Sequence, residues 1–593
     1  MSKVKILVIG GASLDRLADA EDLVPGGAGM YTAMSAHRSG AAVTLYAPRP
    51  APVPEPLLPI NERLTWLGPQ ITPDELAHFE IHYQDGRADY VKAEFGTEDT
   101  MSVDELPANL TSFDYVHLIP LGDHRQQLSV LRACRQRGAR KVSAGTALDL
   151  INAHPDVANK VLEEADILFM NEEEAIRLFG ELAAVRSRVD QVIFVTQGRD
   201  GATVVQGDVQ TALTTTPASM VDPTGAGDTF CGATIVGLAA GRHPVSAARL
   251  AMPLAAAMTE RTGPAVLLDD APAPGPATDQ RVVLNVRQIE KVASLIAISN
   301  EASAYDFTGP DLPAVGHPAT LDYLFATSLQ QFGFWTHAAG RYQRPLLATI
   351  DGEQRKGAFY LFRAYLRWLQ EAPEMLAPEA QATLSAADLL AVLRDDDGHD
   401  PMPAIDMHVA AARSYGSDML ALGLTAASIL KTANASAVPV ANLVRQLDHV
   451  GGYKEDPLRK KSALLAIMLR QRPETFLVDR GDDAPPIVDY HVMRSCLRIG
   501  LLDVVDDDLR GQLERRVLLS TNDEWAVRSA AYRAVEQLLE KSGKSLGAVD
   551  WFLFQARQRC PEMSEPDCTA CVVDPICQHR KTLFQPVIRS SFY

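Results

Sequence analysis

"VDPTGAGDTF", residues 221–230, decides how the first half of this chain is read. It precedes the apolar run "CGATIVGLAAG" (231–241) and so places two glycines at the start of a helix. Without a Cβ at Gly225 and Gly227, the N–H groups of Gly225, Ala226 and Gly227 can point into one small space, and the helix dipole favours an anion there. Asp228 closes the turn beside that anion. A carboxylate so placed takes a proton from an attacking hydroxyl while the N–H groups hold the charge developing on a transferred phosphoryl group. The same residues also suit a plain helix N-cap, because Gly and Asp favour such turns.

Outward from this turn, short apolar runs alternate with helical patterns. "VKILVIGG", "AAVTLYAP", "YVHLIPL", "KVSAGT", "DILFMN" and "VIFVTQG" read as buried strands, with amphipathic stretches such as "QQLSVLRACRQRG" between them. This rhythm implies an α/β fold, a doubly wound, mostly parallel sheet with helices on both faces. "LLDDAPAPGPAT" (267–278) breaks it and reads as a linker. Beyond it, "YLFRAYLRWLQ", "KKSALLAIMLRQ" and "AVRSAAYRAVEQLLEK" carry helical periodicity, with a small hairpin expected near "RPLLATIDGEQRKGA". The expected layout is an α/β domain over 1–268, a linker over 269–283 and a mostly α-helical domain over 284–593.

Bulk properties narrow the classes. A chain of 593 residues is too long for one core. The opening "MSKVKILVIGG" reads as a strand rather than a secretory leader, and no run of about 18 apolar residues appears, so a cytoplasmic protein without a membrane partner is expected. The net charge is −19, with 22 Lys+Arg against 36 Asp+Glu up to residue 280 and 34 against 39 after it. Neither part has the basic excess of a dedicated duplex-DNA binder, which disfavours nucleic acid as partner.

With these pieces in order, residues 3–268 resemble the ribokinase-like (PfkB) sugar and nucleoside kinases, whose signature is close to "DPTGAGDTF". The resemblance implies ATP as donor, Mg²⁺ as cofactor, Asp228 as base, and a small nucleoside or sugar as acceptor. It implies that Asp15, after "GGASL", and Gly26 and Gly27 of "PGGAGMY" bind the acceptor. It also implies that Asn171 and Glu174 of "MNEEEA" serve magnesium and phosphate, and that Thr196, Gly198 and Gly201 of "VTQGRDGA" border the nucleotide. The Asn that often follows the family's Gly-Gly pair is missing, and the short stretch from Asp15 to Gly26 suggests a reduced lid and an unusual acceptor.

A second chemistry lies downstream. Lys461 in "LRKKSALLAIML" (458–469) and Asp489 in "PPIVDYHVMRSCLRIGLL" (485–502) each begin a helix. An Asp there can stabilise an oxocarbenium-like sugar or activate water, as glycosidic cleavage demands. A helix cap for Asp489 and a solvated surface lysine for Lys461 remain the plain alternatives. Four of the seven cysteines, Cys560, Cys568, Cys571 and Cys577, lie in one short run, and in a reducing compartment such a cluster points to metal. Four thiolates suffice for a [4Fe–4S] cluster, and zinc accepts the same set. Cys134, Cys231 and Cys496 read as buried small residues.

"RKKSA", "VDYHV" and the terminal cysteines resemble the helix-hairpin-helix glycosylases of the endonuclease III type, which implies roles for Lys461, Asp489 and an iron–sulfur loop. That loop has one extra residue here, and "LDHVGGYKEDPLRKKSA" lengthens the turn that grips a DNA phosphate in those enzymes, adding Glu455 and Asp456. "FGFW", "IDGEQRKG", "KKSALL" and "DYHVMR" resemble the queuosine-nucleotide glycosidases of queuine salvage. That resemblance implies release of a base from a nucleoside 5′-monophosphate, with Phe334 and Trp335 positioned to stack on the base. The combined expectation is a bifunctional nucleoside kinase and nucleotide N-glycosidase. A carbohydrate kinase joined to a DNA glycosylase, or to a non-catalytic regulatory module, remains as alternative.

Overall fold

The computed structural model describes residues 4–17, 23–84, 87–94, 96–97, 101–121, 124–215, 218–269 and 275–593. The chain divides into two compact units, one ending at Pro274 and the other beginning at Gly275.

The first unit is built on nine strands. They are β1 (Lys5–Ile9), β4 (Ala42–Tyr46), β5 (Thr65–Leu67), β8 (Tyr115–Leu118), β9 (Val142–Gly145), β10 (Ile167–Asn171), β11 (Val192–Thr196), β12 (Ala202–Gln206) and β13 (Val209–Leu213). Their order is β13-β12-β11-β10-β9-β8-β1-β4-β5, parallel from β5 to β11 and antiparallel for the last two strands. Near-continuous apolar runs such as "ILVI" in β1 are buried on both faces, which is why the alternation of a one-sided sheet is missing from them.

Beside this sheet lies a four-stranded one. Strands β2 (Ser13–Leu17), β3 (Val24–Gly26), β6 (His78–Gln84) and β7 (Arg87–Glu94) run in the order β3-β2-β6-β7. Two of these strands, His78–Gln84 and Arg87–Glu94, come from outside the short Asp15–Gly26 stretch from which a reduced lid was expected. Helix α1 (Ala28–Arg38) follows Gly27, and α2 (Glu172–Phe179) follows β10. Helix α3 (Ala226–Ala239) starts at the glycine turn.

The second unit is mostly helical. Val282–Leu284, placed by the sequence at the end of the linker, instead forms strand β14, paired with β19 (Leu502–Val504). The hairpin expected near 344–358 is β17 (Leu347–Ile350) with β18 (Glu353–Lys356), and a further one, β15 (Trp335–Ala338) with β16 (Arg341–Pro345), precedes it. Five helices matter below: α4 (Ala358–Glu371), α6 (Lys460–Gln471), α7 (Tyr490–Ile499), α8 (Thr521–Ser542) and α9 (Leu546–Arg559), with α5 (Pro439–Leu447) preceding α6. Two apolar cores form, one around Tyr323, Tyr360 and Leu443, the other around Trp335, Cys496 and Phe552. Among the described residues, no helix is long and apolar enough to cross a membrane.

Candidate functional site

At the start of α3, Gly225 is the N-cap, with a left-handed φ of 75°. A Cβ there would meet the Tyr31 ring at 2.6 Å, whereas one at Gly227 would meet nothing within 4 Å. The turn therefore requires glycine at 225, and Gly227 leaves the mouth open. Asp228 sits half-buried in the first helical turn, and burial, then the nearby Glu174, push its pKa up to about 7. Glu174 is itself buried. Its Oε2 accepts from the Asn171 N–H at 2.9 Å and from Thr146 Oγ1 at 2.7 Å, while the Glu174 N–H donates to Asn171 Oδ1 at 2.9 Å. This reciprocal capping box fixes the pair at the end of β10. Thr196 ends the neighbouring strand β11, followed by Gly198 with φ 56° and Gly201 with φ 103°.

The acceptor-side residues also meet. Asp15 on β2 is 4 % exposed, and its pKa is raised to about 6, chiefly by burial. A Cβ on Gly26 would lie 1.8 Å from Asp15 Oδ2, so that glycine keeps the carboxylate's space clear. Gly27, with φ 96°, caps α1 against the backbone of Gly11.

In the second unit, a cleft enclosing about 940 Å³ of empty space, part of it open to solvent, is lined by Phe334, Lys460, Asp489, Asp550, Trp551 and Lys356 among others. Asp489 is the N-cap of α7, its Oδ1 accepting from the His491 and Val492 N–H groups at 2.8 and 3.0 Å. Cap and cleft residue are thus the same carboxylate. Lys460 is buried, and its pKa falls to about 8 through burial, partly offset by Asp489 and the other nearby carboxylates. Asp550 on α9, not singled out from sequence, has its pKa raised to about 8 by burial, then by Asp489, with Lys460 opposing. Tyr305 and Trp551 stack at 4.3 Å and 7°, with Phe554 5.7 Å from Trp551, and together they form an aromatic wall.

The sequence reading pointed to Lys461 for the ammonium; of the two adjacent lysines, it is Lys460 that lines the cleft. Lys461 does not line the cleft. Its Nζ donates to the Leu329 carbonyl at 2.8 Å and lies 4.8 Å from the centre of the Phe332 ring. At 1 % exposure it is no surface lysine either. Trp335 likewise packs into the core with Tyr342, Tyr490 and Phe584, leaving Phe334 as the aromatic of the pair at the cleft.

Behind the cleft, fully buried Arg528 donates bidentately to Asp456 at 2.7 and 2.8 Å and from Nε to the Val488 carbonyl at 3.0 Å. Asp456 also accepts from the Lys460 N–H at 2.9 Å. The start of α6 and the residue before Asp489 are therefore tied to one guanidinium. In the turn between α5 and α6, the Gly451 N–H donates to Asp418 at 2.8 Å and the Gly452 N–H to Glu455 at 3.1 Å.

The four terminal cysteines are free, half-buried thiols. Burial raises the pKa of Cys577, with smaller contributions from Cys571, Cys560 and Cys568. Arg498, on α7, donates to Cys560 Sγ at 3.2 Å, and its carbonyl lies 3.7 Å from Cys577 Sγ. Four sulfur donors fit a thiolate-bound centre. Cys568, Asp574 and His579 also bring ligand atoms within 4.8 Å of one another, a mixed set that zinc would accept. Cys134, Cys231 and Cys496 are buried.

Residues 93–271, which include the turn at Gly225–Asp228, match the pfkB family carbohydrate kinase model. Residues 312–463 match a second model, described as queuosine salvage protein; that span includes Phe334 and Lys460 and ends before Asp489. The chain thus carries a PfkB/ribokinase-like kinase domain followed by a domain of the queuosine salvage type. Among relatives, a cytidine kinase of Thermococcus kodakarensis is 27% identical over 271 residues, 44% of this chain and 97% of that protein. A ribokinase of Bacillus subtilis is 26% identical over 267 residues, 42% of this chain and 89% of the other. A solved Burkholderia thailandensis nucleoside kinase in complex with inosine is 19% identical with a TM-score of 0.39, covering 45% of this chain and 93% of its own.

Proposed function

We propose that the chain phosphorylates a nucleoside at its 5′-hydroxyl and then hydrolyses the N-glycosidic bond of the resulting 5′-nucleotide, releasing a modified base of the queuine kind. The observation carrying the cleavage half is the convergence of Asp489, Asp550 and Lys460 in one aromatic-walled cleft. The cytidine kinase among the relatives supports a nucleoside acceptor for the first half.

In the kinase unit, Asp15 orients the acceptor hydroxyls and Asp228 takes the proton of the attacking one, while the N–H groups of Gly225, Ala226 and Gly227 hold the transferred phosphoryl. Magnesium would supply charge neutralisation between the donor phosphates. Asn171 and Glu174, held together by hydrogen bonds, are the residues that would hold it.

In the cleft, Phe334 and the Tyr305–Trp551 pair stack on the base. Asp550, still protonated at neutral pH, donates its proton to the leaving base as the C–N bond breaks and the electron pair departs with the base. Asp489 stabilises the sugar cation and takes a proton from the water that adds to it. Lys460 balances the two carboxylates. The terminal cysteines are proposed to hold a [4Fe–4S] cluster or zinc with a structural role, since four protein donors leave no open position.

A DNA substrate is disfavoured by the turn before α6, whose Gly451 and Gly452 N–H groups are already bound to Asp418 and Glu455 and so do not face a phosphate. The deciding experiment incubates the purified protein with queuosine, ATP and magnesium and follows 5′-phosphate and free base. Base release that continues unchanged in Asp228→Asn without 5′-phosphate would end the coupled scheme. Excision from lesion-bearing duplex DNA with steep salt dependence would favour the repair reading instead.

A further inference from the structure

The cysteine loop brings more than thiols to this unit. Glu562, two residues after Cys560, has a side chain only 1% exposed and reaches the wall of the cleft. There it accepts from Lys356 Nζ, pairs with Arg494 at 3.0 Å and lies 3.4 Å from His491 Nδ1. Lys356 and His491 both line the cleft, while Arg494 is buried behind it. His491, Arg494 and Arg498 follow one another at helical spacing along one face of α7, which begins with Asp489. One helix therefore presents, in order, the cleft carboxylate, the two groups that hold Glu562, and the guanidinium that holds Cys560.

We propose that Glu562 is a positioning residue that fixes Lys356 at the cleft to receive the 5′-phosphate of the nucleotide. This rests on the nucleotide N-glycosidase reading above and names the residues that make it selective for a phosphorylated substrate. Lys460 lies among Asp489, Asp456 and Arg528, whose charges already offset one another, so it offers an incoming phosphate no net positive charge. Lys356 sits elsewhere in the electrostatic pattern. One carboxylate is shared by Lys356 and Arg494, so the group keeps a net positive charge even with His491 neutral. The Lys356 side chain is 31% exposed, enough to meet a ligand while its position is set from behind. Lys356 also directly precedes Gly357, the N-cap of α4, and Gly357 and Ala358 line the same cleft.

The test compares full-length wild type with Glu562→Gln and Lys356→Met. The ligands are guanosine 5′-monophosphate and guanosine, with binding read from the part of the tryptophan fluorescence change that Trp551→Phe abolishes. Wild type is expected to prefer the monophosphate. Both variants should lose about tenfold of that preference, the loss expected for one charge-assisted contact, with guanosine binding, iron and zinc content and kinase rate kept. The KM for base release should rise in the same proportion with kcat little changed. Unaltered monophosphate preference in Lys356→Met would overturn the proposal. So would a loss in Glu562→Gln confined to protein that has shed its metal, which would make the loop a fold element only. If the preference collapses as expected but wild type releases no base, the positioning role stands and the hydrolysis reading alone fails.

Discussion

Asp550 lies close enough to Asp489 for the charge of one to raise the pKa of the other, although they come from different helices, α7 and α9. Asp489 is held by the N–H groups of its helix, and Asp550 keeps its proton up to about pH 8. Two carboxylates in unlike surroundings are what acid and base roles at one site require.

Base release is accordingly expected to fall as pH rises through about 8. Asp550 must be protonated to act as acid, and Lys460, with its pKa lowered to about 8 by burial, must keep its charge, so both losses act in the same direction. Coupling makes the alkaline limb a property of the pair. Asp550→Asn should lower kcat by about 10²–10⁴-fold, the range for a general acid, and flatten this limb. A pH–rate profile on a pre-formed 5′-nucleotide measures both, and an unchanged limb would remove Asp550 from the chemistry.

Lys460 and Lys461 should separate cleanly. Lys460→Met is expected to abolish most base release, whereas Lys461→Met, which removes contacts to the Leu329 carbonyl and the Phe332 ring away from the cleft, should keep it. Equal losses in matched turnover assays, with both proteins folded, would return the role to the pair as a whole.

The kinase half has the opposite pH sign. Asp228 acts as base only when deprotonated, so kcat/KM for 5′-phosphate formation should rise as pH increases through about 7. Asp228→Asn should lose roughly 10²–10⁴-fold in phosphorylation while leaving cleavage of supplied nucleotide intact.

Arg528→Leu would leave Asp456 buried without its bidentate partner. Breaking a buried pair in this way typically costs about 3–5 kcal/mol. The urea midpoint of the second unit should fall accordingly, and base release should fall with it, because the same guanidinium ties the turn before α6 to Val488.

Much of the kinase half was legible because its candidate residues are contiguous with the strands and turns that present them: Asn171 ends β10, Glu174 lies in the first turn of α2, and Asp228 in the first turn of α3. Strands β6 and β7 escaped because "HFEIHYQDGRADYVKAE" alternates polar and apolar residues, unlike the solid apolar runs of the main sheet. In the second unit the site is assembled from distant segments. Which lysine of "RKKSA" faces the cleft depends on where the helix begins, since successive residues turn by about 100°. Arg459, at φ 57° and paired with Asp448 at 2.7 Å, sets that start. Asp550 in "VDWFLFQ" looks like the polar face of an amphipathic helix, and its raised pKa comes first from burial and then from Asp489, neither of which shows in the local sequence.

Tyr31 belongs to the helix that opens on Gly27, and its ring fills the space a side chain at Gly225 would need. The acceptor half and the phosphoryl half of the kinase are thereby mechanically interlocked through one aromatic ring. Attempts to broaden acceptor range by reshaping residues 26–31 will be felt at the phosphate turn, so position 31 would have to be redesigned together with 225 rather than alone.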